Sequence, residues 1–271
     1  AREYAATPFP VLDEHEYAEA VIAVLRRLPP DLPVMRLQTD TPADRLMAPR
    51  WTLEKGQFRS YLTRQLRLRG QCQGDLRDPD ARPARPAFEP LPTADGSVTF
   101  WSTAFKEHYH CRAGAAREAE AKFVAPARLR QRLQQGPVRL LDVCFGLGYN
   151  TAAACAAAPA GGRLAVEALE IDATVVRAAA RHLDAAATTT PQHRAVLQAL
   201  AADQAYAGPE ARVRLHIGDA RATLDRAADG RTFDVVFLDA FSTQRNSELW
   251  TLDFIRRLRA VLAPAGVIVT Y

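Results

Sequence analysis

The second half of the chain alternates short apolar runs with helical segments, and this pattern restricts the fold more than any other feature. The runs are "VRLLDVC" (138–144), "LAVEALE" (164–170), "VRLHIG" (213–218), "FDVVFLD" (233–239) and "GVIVTY" (266–271). Because they show little polar alternation and are separated by helical stretches, they predict a parallel sheet that is covered on both faces. We therefore expect an α/β domain.

The composition is that of a globular protein. Hydrophobic residues make up 48% of the 271 residues, which is enough for a full core. No apolar run reaches the roughly 18 residues of a membrane span, and the N-terminus has no signal pattern. The net charge of +4 is the excess of 35 basic residues over 31 acidic ones, and because 32 of the basic residues are Arg and only 3 are Lys, we do not count this bias as a nucleic-acid signal. We expect a cytoplasmic protein.

No metal site is expected in this sequence. The four cysteines, at positions 72, 111, 144 and 155, show neither CxxC nor metal-ligand spacing. The "HYH" motif at 108–110 has no second ligand pair nearby, so His108 and His110 are interpreted as surface or packing residues. The sequence predicts a reduced protein without a metal.

The first 90 residues follow a different pattern. Apolar positions in "DEHEYAEAVIAVLRRLPP" (13–30) have the spacing of one helix face, and a second helix is predicted from Leu53 to Leu68. Between them, "LPVMRLQTD" (32–40) predicts a short strand. These elements would form a small α/β unit.

A proline-rich stretch divides the chain. "RDPDARPARPAFEPLP" (77–92) contains five prolines, each of which fixes φ and lacks a backbone donor. We predict a linker over 77–93 between domains at 1–76 and 94–271. After it, "SVTFWS" (97–102) predicts a strand, and 115–133 predicts a helix.

The turn after the first strand of the sheet predicts a ligand. In "LLDVCFGLGYNT" the strand carries Asp142, and Gly146 and Gly148 lead into a helix near Asn150. Such glycines let the backbone approach a ligand, and the helix N-terminus offers free N–H groups. Thr151 replaces the third glycine of a dinucleotide fingerprint, and no P-loop is present.

An acid followed by this Gly-x-Gly turn resembles the S-adenosylmethionine site of class I methyltransferases, a Rossmann-like fold. In such folds Glu170, at the end of the second strand, would accept hydrogen bonds from the ribose hydroxyls. Asp219, at the end of the third, would accept one from the adenine amino group. For Asp172 and Asp219 a helix N-cap is a serious alternative.

Three blocks of sequence, within about residues 95–271, carry a more specific resemblance. They are "DGSVTFWSTAFKEHYHCRAGAAREAEAKFV", "LLDVCFGLGYNTAAA" and "DAFSTQRNSELWTLDFIRRLRAVLAPAGVIVTY". Together they resemble the MnmC-type methyltransferase domain, which methylates the aminomethyl group on the wobble uridine of certain tRNAs. The family has proline where Thr243 and Ser247 stand here, so the loop is expected to be less rigid.

The resemblance and the chemistry both indicate Asp239 as the catalytic carboxylate. An alkylamine, with a pKa of roughly 10, is mostly cationic at neutral pH. The carboxylate of Asp239 would orient the amine and help remove its proton, while Phe241 and Trp250 form an apolar wall. The alternatives are a capping role for Asp239 and a core position for Trp250.

The remaining site predictions concern the cofactor and the nucleic acid. The candidate cofactor-binding residues are Asp142, Gly146, Gly148, Tyr149, Asn150, Glu118, Glu170, Asp219 and Ala220. Of these, Tyr149 and Asn150 would contact the methionine part, although Asn150 is equally suited to an N-cap. Glu120 is expected on a solvated helix face. Candidates for tRNA phosphate binding are Arg112, Arg117, Arg128, Arg130 and Arg245.

The first 75 or so residues resemble the C-terminal end of radical-SAM proteins of the YhcC/YtqA type. The three-cysteine iron–sulfur motif of those proteins is absent here. The chain stops in the fifth predicted strand, whereas class I methyltransferases continue with two more. We therefore expect a fragment of a fusion protein, with a radical-SAM domain upstream and the last strands of the sheet missing.

Three functions follow from these observations. The first is a tRNA wobble-uridine methyltransferase. The second is a methyltransferase or aminopropyltransferase acting on a small amine, since polyamine synthases share the fold and a strand-end aspartate. The third is a module without catalytic activity that binds the cofactor or tRNA.

Overall fold

The computed structural model describes residue 7 and residues 9–39, 41–42, 45–83, 88–183 and 189–271. The strands are β1 (Phe88–Pro92), β2 (Val98–Ser102), β3 (Glu107–His108), β4 (Val138–Val143), β5 (Leu164–Glu170), β6 (Ala205–Ala207), β7 (Ala211–Ile217), β8 (Phe233–Leu238) and β9 (Leu262–Val269). The helices are α1 (Glu14–Leu25), α2 (Lys55–Leu68), α3 (Ala115–Ala119), α4 (Leu129–Gln135), α5 (Tyr149–Ala157), α6 (Ala173–His182), α7 (Pro191–Asp203), α8 (Ala220–Ala228) and α9 (Leu252–Ala260). In this described part, no helix is long and apolar enough to cross a membrane.

Six strands form the central sheet in the order β6-β7-β5-β4-β8-β9. All neighbouring pairs are parallel except β6 with β7, which is antiparallel. The five predicted strands are therefore confirmed, and β6 is an addition at one edge. The strand order reverses at β4, and the carboxyl ends beside such a point are where open α/β sheets bind ligands.

The sheet is covered on both faces because neighbouring strand residues point in opposite directions. Leu140 and Phe237 belong to one buried cluster, which α5, α6 and α7 complete. Leu141 and Val236 belong to the other, which α8 and α9 complete. The nearly continuous apolar character of the strands follows from this double burial.

A second, antiparallel sheet has the order β1-β2-β3. It confirms the strand predicted at 97–102, but it shows that part of the predicted linker is also a strand, because Phe88–Pro92 pairs with Val98–Ser102. Pro90 and Pro92 are compatible with β1 because it is an edge strand, whose outer side needs no donors. Residues 84–87 of the predicted linker lie outside the described residues.

The described part of the N-terminal segment contains two helices, α1 and α2, joined by turns and coil. Helix α1 begins with a capping box formed by Asp13 and Glu16, and it packs with α2 around a core that includes Ala18, Phe58 and Leu62. The strand predicted over 32–40 is wrong for residues 32–39, which form no ladder. An apolar run needs a neighbouring strand for its backbone groups, and among the described residues none pairs with this one.

The long helix predicted over 115–133 is interrupted. It consists of α3, a π-helical turn at Glu120–Val124 and α4, with Arg128 in the left-handed region at φ 51° before α4. Pro126, which has no backbone donor, lies in the break. The break separates Glu118, in α3, from α4.

The glycine at the start of α5 generates a stability prediction. Gly148 has φ 77°, and a Cβ there would lie 2.6 Å from Phe145 Cζ and 3.1 Å from Leu197 Cδ2. We expect Gly148→Ala to lower the free energy of unfolding by about 2–5 kcal/mol, from backbone strain plus overpacking. Gly162 is the control, since it has φ 65° but no atom within 4 Å of its Cβ position. Gly162→Ala should cost only about 1 kcal/mol in urea denaturation, and equal losses would contradict the clash.

Candidate active site

A pocket of about 270 Å³ lies at the carboxyl ends of β4, β5, β7 and β8. Strand register aligns these ends, since Val143 pairs with both Leu169 and Leu238. Of the predicted site residues, the pocket is lined by Gly146, Glu118, Glu170, Asp219, Ala220, Asp239 and Phe241. Asp142, Gly148, Tyr149 and Asn150 do not line it.

The glycine turn forms one wall of the pocket. Gly146 has φ 56°, and a Cβ there would lie 3.2 Å from Cδ1 of Tyr109, so the backbone and this ring are in close contact. Gly148 instead begins helix α5 and packs against Phe145. The first glycine thus lines the pocket beside the Tyr109 ring, whereas the second serves packing.

Glu170 keeps room for a ligand. Its Oε2 accepts from the backbone N–H of Gly146 at 2.8 Å, and its Oε1 from that of Asp172 at 2.9 Å. A carboxylate has about four acceptor sites, so these two donors leave capacity for ribose hydroxyls. Burial raises the pKa of Glu170 to about 7, against the opposing effect of the backbone donors.

Asp219 is already engaged. Its Oδ1 accepts from the backbone N and Nε of Arg221, and its Oδ2 accepts from Nη2 of Arg221 and the hydroxyl of Tyr61 at 3.0 Å. Burial favours a higher pKa, but the charge and hydrogen bonds of Arg221 outweigh it and lower the pKa to about 2. These four hydrogen bonds occupy the acceptor sites of the carboxylate. The predicted adenine contact would require one of them to leave.

The N-cap alternatives are present in the structure. Asp219 caps α8 and Asp172 caps α6, each through a hydrogen bond from a backbone N–H two residues on. Asn150 is not an N-cap, because α5 begins after Gly148. Its Nδ2 donates instead to Oδ2 of Asp239 at 2.7 Å, and this contact was not predicted.

Asp239 is a partly buried carboxylate with a raised pKa. Burial raises it to about 7; the hydrogen bond from Asn150 acts in the opposite direction, while Asp142 and Glu118 add repulsion. A carboxylate with this pKa exchanges a proton near neutral pH, which suits a general base. Its position at the end of β8 places it in the pocket.

Two other predicted cofactor residues are directed elsewhere. Asp142 accepts from Oγ1 of Thr151 at 2.6 Å and is fully buried, so its pKa rises to about 6. The hydroxyl of Tyr149 donates to the carbonyl of Val98 on β2 at 3.0 Å. These placements argue against direct cofactor contact by Asp142 and Tyr149, and indicate that both fix the surrounding elements.

An aromatic wall stands beside Asp239. Phe241 stacks on Phe105 with 4.4 Å between ring centroids, and Tyr109 meets Phe241 edge to face at 5.0 Å. Trp250 does not line the pocket; its Nε1 donates to the carbonyl of Phe241 at 2.7 Å. Trp250 packs against a core cluster, in agreement with the core position given as its alternative, and it supports the wall only through this hydrogen bond.

The loop after β8 is tied down at both ends, although Thr243 and Ser247 replace prolines. At its start, Glu107 on β3 accepts from the backbone N–H of Ser242 at 2.9 Å and also contacts the hydroxyl. Near its end, Arg64 on α2 contacts Glu248. These side-chain contacts restrain the loop, which has no proline at either of the two positions.

Comparison with known proteins finds similarity to two families, each over part of the chain. Residues 183–271 match a family described as S-adenosyl-L-methionine-dependent methyltransferases, and residues 1–67 match the radical-SAM C-terminal domain. The crystal structure of MnmC2 from Aquifex aeolicus is 28% identical, with a TM-score of 0.57 over 80% of this chain and 67% of that one. These matches support an MnmC-type methyltransferase domain. The predicted class I fold and the predicted cofactor, S-adenosylmethionine, are both confirmed.

Two curated relatives are longer than the matched part. A protein of Acidovorax sp. named tRNA 5-methylaminomethyl-2-thiouridine biosynthesis bifunctional protein MnmC is 28% identical over 169 residues, 58% of this chain and 26% of that protein. An uncharacterized protein of Methanocaldococcus jannaschii is 26% identical over 210 residues, 74% of this chain and 55% of that protein. The chain thus spans about half of one relative and a quarter of the other.

The pocket is also lined by two histidines that the sequence did not predict there. His108 and His110 line it, and burial lowers the pKa of His110 to about 4, so this imidazole is neutral at pH 7. Glu118 lies beside His110 and accepts from the backbone N–H of Cys111 and from Lys122. The sequence feature that could have indicated these residues is the "HYHCR" segment, which lies within the first of the three blocks that resemble the MnmC-type domain.

The arginines predicted to bind phosphate differ in placement. Arg112 lines the pocket, and Arg245 is exposed on the loop after β8. Arg130 pairs with Glu120 on the surface, as expected for a solvated helix face. Among the residues that the structure describes, no group of three or more His, Cys, Asp or Glu is placed to hold a metal ion.

The raised pKa of Asp239 predicts a pH-dependent stability difference. The folded protein binds this proton more tightly than the unfolded chain, whose pKa is near 3.8. The carboxyl is therefore tolerated below pH 4 and increasingly destabilises the fold as the pH rises to about 7. Asp239→Asn should be more stable than wild type by an amount that grows over this range, to at most about 4 kcal/mol.

Thermal unfolding of both proteins between pH 4 and pH 8 measures this difference. Comparing the two proteins cancels the other titrating groups, including His110 and Glu170. A stability difference that stays constant across this pH range would show that Asp239 is ionised with an ordinary pKa.

Proposed function

We propose that the methyltransferase domain transfers a methyl group to the primary amine of an aminomethyl group on a tRNA wobble uridine. The observation that carries this proposal is Asp239, a partly buried carboxylate with a pKa of about 7 that lines the pocket together with Phe241. An amine acceptor needs a group that attracts it as a cation and then removes a proton, and Asp239 has the properties for both steps.

The chain's own residues prepare the acceptor. When bound, S-adenosylmethionine supplies an electrophilic methyl group for in-line displacement. Gly146 and Glu170 would hold its methionine and ribose parts, the latter through the remaining acceptor capacity of the carboxylate. Asp239 orients the amine by hydrogen bonding and takes its proton, while Asn150 fixes the carboxylate. Phe241 and Phe105 exclude water, which favours the neutral amine.

The tRNA substrate is inferred from relatives and from charge. The Acidovorax relative is named for tRNA 5-methylaminomethyl-2-thiouridine biosynthesis. In this chain, Arg112 at the pocket and Arg245 on the adjoining loop are exposed cations that suit phosphate groups flanking an inserted base. We further propose a cytoplasmic location and a radical-SAM domain upstream of residue 1, consistent with the match over residues 1–67.

The role of Asp239 is tested with the full-length protein, labelled S-adenosylmethionine, and either hypomodified tRNA or polyamines. Asp239→Asn should lower the rate of tRNA labelling by about 10²- to 10⁴-fold, while the affinity for the cofactor stays within threefold. Asp203→Asn, on the exposed end of α7, is the matched control and should keep full activity.

The outcomes separate the three functions. Label in tRNA that survives Asp239→Asn would reject the role of this carboxylate. Label in polyamines but not in tRNA would favour a small-amine transferase. Cofactor binding with no transfer to either acceptor would favour a binding module.

The phosphate contacts predict a change in salt dependence. Arg112→Ala and Arg245→Ala should each reduce the slope of log Kd for tRNA against log salt concentration by about 1, because each removes one phosphate contact. Arg256→Ala, a 68% exposed side chain on α9 away from the pocket lining, is the control. Equal slopes for all three variants would place the tRNA on another surface.

A further inference from the structure

Helix α2, in the segment that matches the radical-SAM C-terminal domain, contacts residues of the pocket lining through Arg64. This side chain is only 8% exposed. Its Nη1 donates to the backbone carbonyl of Arg245 at 2.6 Å, and its Nη2 donates to Oε1 of Glu248. One guanidinium therefore binds the loop after β8 at two points.

The same guanidinium also touches the aromatic wall. Its central carbon lies 4.8 Å from the centroid of Phe105, which in turn stacks on Phe241. A planar cation can donate sideways to the loop while its face contacts a ring. Arg64 thus contacts both the loop after β8 and the aromatic wall of the pocket.

Burial of this ion pair is costly for stability alone. Desolvating a guanidinium and a carboxylate often costs more than their attraction returns, and apolar residues of similar size would serve as well. The hydrogen bond to the Arg245 carbonyl adds what an apolar residue lacks, a fixed loop backbone. Together with Glu107 at the other end, it restrains the segment from Ser242 to Glu248.

We propose that Arg64 is a positioning residue of the methyltransferase, which holds this loop and the Phe105–Phe241 wall in the geometry that receives the methyl acceptor. The proposal deepens the proposed function, since it assigns the loop side of the pocket to the acceptor. The N-terminal segment is then a structural part of the methyltransferase site.

The test compares Arg64→Met with Arg69→Met in the full-length protein. Arg69 follows the same helix and pairs with Glu19 inside the N-terminal segment, so this control removes an ion pair, more exposed than that of Arg64, away from the loop. The first readout is the rate of tryptic cleavage after Arg245, whose carbonyl is the group that Arg64 binds. The second is the KM and kcat for hypomodified tRNA and for S-adenosylmethionine.

We expect Arg64→Met to accelerate cleavage after Arg245 at least tenfold without a general rise in cleavage elsewhere. It should lower kcat/KM for tRNA by roughly 10- to 100-fold, as displaced reacting groups do, and leave the KM for the cofactor within twofold. Arg69→Met should resemble wild type in both measurements. If Arg64→Met folds poorly, Arg64→Lys keeps the charge beside Glu248 and should give an intermediate rate of cleavage.

Unchanged cleavage after Arg245 would overturn the proposal, as would an equal effect of Arg69→Met or an equal rise in the KM for both substrates. The cleavage readout needs no methyl acceptor. Inactivity of the wild-type protein toward tRNA would therefore contradict the proposed function, while faster cleavage in Arg64→Met would still support restraint of the loop by Arg64.

Discussion

Burial of carboxylates at one edge of a parallel sheet is the constraint on which the rest of this site depends. Each needs a compensating donor because water is excluded, and the donors differ. Glu170 receives backbone N–H groups, Asp219 receives Arg221 and Tyr61, and Asp239 receives Asn150. The charge and hydrogen bonds of Arg221 lower the pKa of Asp219 to about 2, whereas burial raises the pKa of Glu170 and of Asp239 to about 7, so acids on one edge of the sheet differ in protonation at neutral pH.

The loop after β8 depends on contacts with segments that are distant from it in the sequence. The loop after β8 has no prolines at Thr243 and Ser247, and its restraint comes from Glu107 on the antiparallel sheet and from Arg64 on α2. Those two side chains lie 135 and about 180 residues from their partners. The small sheet and the N-terminal helices therefore contribute to the pocket that the central sheet creates.

Much of the fold was predictable because strand periodicity and glycine turns are local signals. The five central strands, Gly146 and the strand-end acids followed from them. What the sequence did not reveal depends on long-range partners. The hydroxyl of Tyr61 donates a hydrogen bond to Asp219, 158 residues away in the sequence. The hydroxyl of Tyr149 donates to a backbone carbonyl of β2 and does not line the pocket. The strand predicted over 32–40 failed for the same reason, since an apolar run specifies a strand only when another strand pairs with it.

The filled carboxylate of Asp219 links two events that would otherwise be independent. If the adenine amino group binds this acid, it takes the place of a donor such as the hydroxyl of Tyr61, which belongs to α2. Thermodynamic reciprocity then requires the cofactor to weaken docking of the N-terminal helices by the same factor by which their docking weakens cofactor binding. The helices and the nucleoside would act as competing ligands of one carboxylate, and occupancy of the methyltransferase would be communicated to the segment that precedes it.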